Sequence, residues 1–319
     1  MKPEIKTMRD VFIGEIYNRM REDRNLFFLT ADFGSPKLDK LRKDFKDRFI
    51  NVGIAEQNLI NVLTGLALEG FTVYAYAIAP FLTMRAYEQI RNNLSLLSQV
   101  KEINVNLIGV GAGFSYDVSG PTHHCLEDVT LMRALPNFII FSPSDWVLAQ
   151  KFVDLSIKVK KPKYIRFDGK PLPQIYNKAE DLDITKGLKE LKRGEKVCLV
   201  STGYMTQRAV KIANSLKDLN INIGVIDIFL LKPFHEDLFL ELANKYVYLI
   251  TLEEAFINKG GLDSLVSGIL NRKNSKIRLK RMGVEDTYLF EMGNRAHLHK
   301  LSKLDEESII QEVKAILKG

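Results

Sequence analysis

Apolar residues along this chain fall into two alternating patterns. Short, nearly unbroken apolar runs rich in Phe, Ile, Val and Tyr occupy residues 26–30, 49–52, 71–78, 103–110, 138–141 and 164–167. Between them, apolar positions recur at helical spacing over 7–22, 56–69, 81–97, 126–135 and 145–159. Buried parallel strands read as continuous apolar runs, whereas the helices that connect them are apolar on one face. The alternation therefore predicts an α/β fold with a mainly parallel sheet. A polar, proline-bearing stretch over 168–194 reads as a linker. A second series follows, with strands expected at 196–201, 223–228, 247–251 and 276–282 and helices at 205–219, 235–244, 261–270 and 305–317. The expected architecture is two doubly wound domains, each with a mainly parallel sheet, over residues 1–185 and 186–319.

Composition narrows the class without changing the fold. At 319 residues, 46% hydrophobic and 27% charged, the chain can bury two independent cores. Its net charge of +7 is spread widely, and the densest basic runs, KVKKPK and KIRLKR, carry no interleaved aromatics. They read as solvated edges, so no nucleic-acid partner is expected. The two cysteines, Cys125 and Cys198, make neither a disulfide framework nor a metal pattern. The start, MKPEIKTMRD, has no apolar core of a signal peptide, and no stretch approaches ~18 uncharged apolar residues. A soluble, cytoplasmic protein with no membrane partner is expected.

In open parallel sheets, ligands sit beyond the carboxyl ends of the strands. The loops that matter are then 31–37, 53–57, 79–81, 109–124 and 166–170. The run GVGAGFSYDVSGPTHH (109–124) follows a strand, but its glycines are not spaced G-x-G-x-x-G and no helix follows at once. With no Cys or carboxylate at ligand spacing, its histidines are weak evidence for a metal site. Contact with a substrate or transition state is the favoured role for His123, and hydrogen bonding within the loop stays open. Phe81, Met84, Arg85 and Tyr87 open a helix. Such spacing usually means core packing, but it also offers a ring face for a flat heterocycle. Cys125 stands beside His124 without a triad and is expected to be a small packing residue. In NVGIAEQNL (51–59), Glu56 is either a first-turn acid favoured by the helix dipole or a buried acid with a chemical task. Pattern alone yields an α/β protein with a loop-built site containing Glu56 and His123.

Three stretches taken together carry a resemblance. RFINVGIAEQNLINVLTGLALEGFTVYAYAIAPFLTMRAYEQIRN, SGPTHHCLEDVTLMRALPNFIIFSPSD and YIRFDGKPL resemble the pyrimidine-binding domain of the transketolase family. That superfamily also holds deoxyxylulose-phosphate synthase and the β chains of 2-oxo acid dehydrogenases. VCLVSTGYM, IGVIDIFLLKPF and YLITLEEAFINKGGLDSLVSGIL resemble the family's C-terminal domain, so the likeness covers nearly the whole chain in order. The resemblance implies that Glu56 hydrogen-bonds the aminopyrimidine ring of thiamine diphosphate, with Ile54 beside it. It makes Phe81 the ring that stacks on that heterocycle, with Tyr87 as second choice, and places Asp32 near the cofactor. His123 matches the histidine of G-P-T-H that contacts substrate hydroxyls, and Arg166 an arginine that binds substrate phosphate.

Departures from the family pattern shape the rest. Ser119 stands where the relatives carry an aspartate two residues before the proline, so it joins the expected substrate-binding residues. Asp117 lies two residues out of register with that position, and GVGAGF replaces the basic residue that meets a substrate phosphate. A different, less phosphorylated sugar is implied. No GDG segment of the kind that holds Mg²⁺ and the diphosphate occurs in the chain. The resemblance thus implies half an enzyme: a small subunit with no metal ligands of its own, sharing thiamine diphosphate across an interface. The partner would be an N-terminal transketolase-like subunit with the GDG…N motif, holding Mg²⁺ within an α2β2 hetero-tetramer. Transfer of a two-carbon ketol unit between sugars is the leading activity. A decarboxylating enzyme of the deoxyxylulose-phosphate-synthase or 2-oxo acid dehydrogenase type and a non-catalytic scaffold remain as alternatives.

Overall fold

The computed structural model describes residues 3–177 and 182–318; residues 178–181 of the expected linker and the outermost ends of the expected domains lie outside the described residues. The chain forms two compact units. The first runs to Ala112 and resumes over Leu131–Phe141 and from Asp145 into the linker; the second takes Gly113–Thr130, Ser142–Ser144 and everything from Leu182 on. The division is therefore not a single cut, and the 109–124 loop parts company with its own strand at Gly113.

In the first unit, six parallel strands form the sheet: β1 (Leu26–Thr30), β2 (Phe49–Asn51), β3 (Thr72–Ile78), β4 (Asn104–Val110), β5 (Ile139–Phe141) and β6 (Pro162–Phe167). They pair in the order β5-β6-β4-β3-β1-β2. All six match expected strands to within two residues at either end. Phe12, on helix α1 (Met8–Glu22), meets Tyr74 and Phe167 edge-on, with ring centroids 6.1 and 5.4 Å apart. The Tyr74 hydroxyl is satisfied by Ser156 at 2.8 Å, on α4 (Trp146–Lys158), so a phenol is tolerated in the core. Helix α2 (Pro36–Asp44) has no counterpart in the apolar pattern, because only Leu38 and Leu41 of its nine residues are buried.

Helix α3 (Glu56–Leu68) begins at Glu56 itself. The segment expected as one helix over 81–97 is helical but irregular. A π-helical turn at Phe81–Arg85 is followed by a short α turn, a second π stretch at Ile90–Leu96 and a 3₁₀ turn at Leu97–Gln99. π turns take in an extra residue and cluster at functional sites.

Among the described residues the second unit builds a five-stranded sheet from β7 (Leu188–Lys192), β8 (Val197–Ser201), β9 (Gly224–Ile228), β10 (Tyr248–Phe256) and β11 (Arg278–Val284), in the order β11-β10-β8-β9-β7. Only β7 runs antiparallel, along the edge against β9. This corrects the linker reading, which swallowed β7: LKELK carries three charges in five residues, and only Leu188 is buried. The linker reading also hid Leu172–Pro173, which pairs antiparallel with Ile5–Lys6 in the first unit. Helices α5 (Tyr204–Lys217), α6 (Glu236–Ala243), α7 (Leu262–Arg272) and α9 (Glu306–Lys318) match expectation, whereas α8 (Arg295–Leu301) was not foreseen. Phe114 and Leu126, from the glycine-rich loop and its continuation, are buried in this unit's core with Leu199, Ile250 and Leu252.

Candidate active site

The first unit gathers several of the expected residues at the carboxyl ends of its strands. Behind β2, the chain passes through Gly53 at φ 76, a left-handed conformation suited to glycine, and enters α3 at Glu56. The Glu56 carboxylate is only 3% exposed and lies at a helix N-terminus, where the backbone dipole favours negative charge. Its Oε2 accepts a hydrogen bond from Arg85 Nη1 at 2.7 Å. The carboxylate therefore meets a cation as well as apolar neighbours, a contact the sequence reading did not anticipate. The same guanidinium lies over the Phe81 ring, 4.7 Å from its centroid. Both Arg85 and Phe81 belong to the π turn, whose extra residue sets where they sit relative to α3.

Asp32 follows β1 with φ 53, a strained conformation for a residue with a Cβ. Asn51 secures it: its Oδ1 accepts from the backbone N–H of Asp32 and of Gly53, both at 3.0 Å, and its Nδ2 donates to Asp32 Oδ1 at 2.8 Å. The loops after β1 and β2 are thereby tied to one another, one carrying Asp32 and the other leading to Glu56. Asn51 stands in the quoted NVGIAEQNL and was passed over. An amide at a strand end, two residues before a glycine, is the signal that could have found it.

The remaining expected residues are more scattered. Ile54 is 76% exposed and contributes an apolar surface rather than a core contact. Tyr87 is half-buried, and its hydroxyl donates to the Leu131 carbonyl at 3.0 Å. Arg166 is 5% exposed within β6, in register with Gly109 of β4. A Cβ on Gly109 would lie 2.8 Å from the Tyr164 ring, so that glycine is a packing requirement and not a phosphate loop.

Ser119 and His123 belong to the second unit. Ser119 is exposed, and the half-buried His123 has Nδ1 3.0 Å from the Thr122 hydroxyl. Asp117 is buried, and its Oδ2 accepts the backbone N–H of Arg295 at 2.7 Å. The aspartate out of register thus holds the loop to α8. Cys125 is fully buried, in line with a packing role.

Two glutamates at the end of β10 divide the work there. Glu253 accepts the backbone N–H groups of Leu262 and Asp263 at 2.7 and 2.8 Å, which caps α7. Glu254 takes Arg295 Nε at 2.7 Å and Nη2 at 2.5 Å, His299 Nε2 at 2.5 Å and the Phe114 N–H at 3.2 Å. Arg295 and His299 hold its carboxyl well below the usual carboxylate range, although burial alone pushes the other way. No local spacing connects Glu254 with Arg295; a charged pair inside the otherwise apolar LITLEEAF was the available signal.

Comparison with known proteins agrees with this architecture. Residues 5–173 match the family model of the transketolase pyrimidine-binding domain, and residues 186–309 that of the transketolase C-terminal domain. An apulose-4-phosphate transketolase subunit from Actinobacillus succinogenes is 32% identical over 95% of this chain and 96% of its own. A 6-deoxy-6-sulfo-D-fructose transketolase subunit from a Clostridium species is 27% identical over 98% and 94%. A solved split-gene transketolase, described as an inactive β4 tetramer, superposes with a TM-score of 0.84 at 29% identity, covering 98% of both chains. No helix among the described residues is long and apolar enough to cross a membrane. The chain belongs to the transketolase family, and its full-length relatives are subunits of split transketolases.

Proposed function

We propose that this chain is the small subunit of a two-chain, cytoplasmic transketolase that moves a two-carbon ketol unit between sugars. In this reading residues 1–185 act as the pyrimidine-binding domain and 186–319 as the C-terminal domain. Thiamine diphosphate lies across the interface with a partner that carries the GDG…N segment and Mg²⁺, in an α2β2 assembly. The observation that carries it is the trio of Glu56, Arg85 and Phe81. An aminopyrimidine needs an aromatic face to stack on and a carboxyl to meet its ring nitrogen. Arg85 already places a flat, delocalised group with N–H donors against both. The residues present therefore fit the heterocyclic end of the cofactor. When bound, thiamine diphosphate would supply the carbanion stabilisation that lets a ketose carbon–carbon bond break and re-form.

This chain's own residues would do the rest. Glu56, at the start of α3, would hold the ring nitrogen and share a proton with it. Phe81 would stack on the ring, with Tyr87 as the second candidate, and Ile54 would add apolar surface. Asp32, held by Asn51, lies at the neighbouring strand end. His123 and Ser119 meet substrate hydroxyls, and Arg166 offers a fork to an anionic group on the sugar. Two full-length relatives are named for a sugar phosphate and a sulfo-sugar, which supports an anionic ketose as substrate here. The solved β4 neighbour, described as inactive, supports the need for a partner.

Glu56→Gln keeps the shape and removes the shared proton. In the two-chain complex it is expected to leave assembly intact and to lower ketol transfer by about a hundredfold or more. Normal turnover by that variant would remove Glu56 from the chemistry. Release of CO₂ from a 2-oxo acid donor, with no transfer from any ketose, would move the chain to the decarboxylating branch.

A further inference from the structure

The glycine-rich loop raises a mechanical problem. Residues 109–124 contain four glycines, and such a segment has a large conformational space to lose. Side chains that touch a substrate must nevertheless be held to about half an ångström. The second unit contains an anchor at the foot of this loop. A bridge between Gly113 and Cys125 closes its base through paired backbone hydrogen bonds of 3.1 and 2.9 Å. Above that bridge, the buried Glu254 carboxylate takes the Phe114 N–H, both arms of the Arg295 fork and His299 Nε2. Arg295 also donates its backbone N–H to Asp117, whose carbonyl oxygen lies 3.2 Å from His124 Nε2. The Arg295 guanidinium rests on the Tyr204 ring, 3.4 Å from its centroid. The Phe114 ring meets His124 edge-on at 5.1 Å.

We propose that Glu254, acting through Arg295, is a positioning residue that fixes the 113–125 loop so that Ser119 and His123 are presented to the sugar. The inference rests on the function proposed above. The anchored residues are Gly113, Phe114, Asp117 and Cys125, all buried, whereas Val118, Ser119 and Thr122 on the crest are exposed. One element is therefore pinned at its feet and open at its crest, as a substrate-binding loop requires. Charge-assisted, bidentate hydrogen bonds are the most directional contacts available for such a pin. Gly113 belongs to the same device: a Cβ there would crowd Glu254 Oε2, so the carboxylate can reach the Phe114 amide only past a glycine.

The test uses this chain in complex with its co-purified partner. Glu254→Gln alone leaves Arg295 buried without a counter-charge and can fail to fold, so the double variant Glu254→Gln/Arg295→Met removes both charges together. We expect it to raise KM for the ketose donor about tenfold while the affinity for thiamine diphosphate stays within about twofold, since only the loop loses its pin. Peptides covering 113–124 should exchange amide hydrogens at least about tenfold faster than in the wild type. Arg295→Lys, which keeps the charge and loses the fork, should fall between. Unchanged KM and unchanged loop exchange would overturn the proposal, as would a loss of cofactor affinity in proportion to the rise in KM. If the wild-type complex moved no ketol unit, the functional reading would fall. The exchange measurement would then still decide whether Glu254 holds the loop.

Discussion

At the scale of single residues, Arg85 is the side chain whose behaviour separates competing accounts of the site. Its guanidinium, 47% exposed, pairs with Glu56 and lies on Phe81. Under the proposed function that is where the aminopyrimidine would bind, so cofactor binding would displace it. Half-exposed ion pairs and cation–π contacts each contribute about 0.5–1 kcal/mol, so Arg85→Gln should tighten thiamine diphosphate binding by about five- to thirtyfold. Calorimetric titration of the two-chain complex reads this directly. A weaker affinity instead would mean that Arg85 helps to hold the cofactor. Gly113 gives a second residue-scale expectation. Gly113→Ala puts a Cβ at φ 57 and against Glu254, so unfolding stability should fall by about 1–3 kcal/mol, measurable by denaturant titration. Neither effect was legible beforehand. Glu56 stood out as a carboxylate just behind a strand, whereas Asp32 and the stacking role of Phe81 came from the family resemblance. The partners that orient them, Arg85 and Asn51, look like ordinary surface residues.

At the scale of elements, apolar runs located all six parallel strands of the first unit and four of the five strands in the second unit's sheet. A strand buried on both faces has no polar side to disguise it, as VNLIGV in β4 illustrates. Elements governed by other forces escaped. β7 is a charged edge strand, α2 is nearly all polar, and the π turns around Tyr87 share the apolar spacing of an α-helix. β6 adds an energetic oddity. Lys163 is fully buried there, with Nζ donating to Asn104 Oδ1 at 2.7 Å and to the Lys161 carbonyl at 2.9 Å. Burial pushes its pKa well below the ordinary 10.5. A base with a depressed folded pKa leaves the unfolded chain binding more protons, so its contribution to stability is greatest above the unfolded pKa. That contribution is lost as pH falls towards the folded pKa. Lys163→Met should therefore raise the melting temperature at pH 7 by a few degrees, or about 1–2 kcal/mol, with Asn106 Nδ2 still donating to Asn104. It should also flatten the dependence of stability on pH between neutral and alkaline conditions. A lower melting temperature would show that the amine's two hydrogen bonds outweigh its desolvation.

At the scale of the whole molecule, the α/β class was readable because strand–helix alternation repeats along the chain, and the family because the quoted stretches resemble it. The path of residues 113–130 was not. Nothing in GFSYDVSGPTHHCL announces that Phe114 and Leu126 would enter the second unit's core, since burial there depends on residues far downstream, such as Leu199 and Leu252. The acid–base partners Glu254 and Arg295 are likewise 41 residues apart and meet only in the folded unit. Function at this scale is proposed to belong to an assembly. Full-length relatives are named as subunits, and the chain has no GDG segment to hold the diphosphate. The central claim is that this chain completes a thiamine-diphosphate site with a second chain and transfers ketol units. The most direct measurement is reconstitution: the purified chain and its co-purified partner, assayed separately and mixed, with an anionic ketose donor, an aldose acceptor, Mg²⁺ and thiamine diphosphate. Transfer without CO₂ release, seen only in the mixture and lost with Glu56→Gln, is the expected result. Equal transfer by the partner alone, or transfer unaffected by Glu56→Gln, would contradict the account.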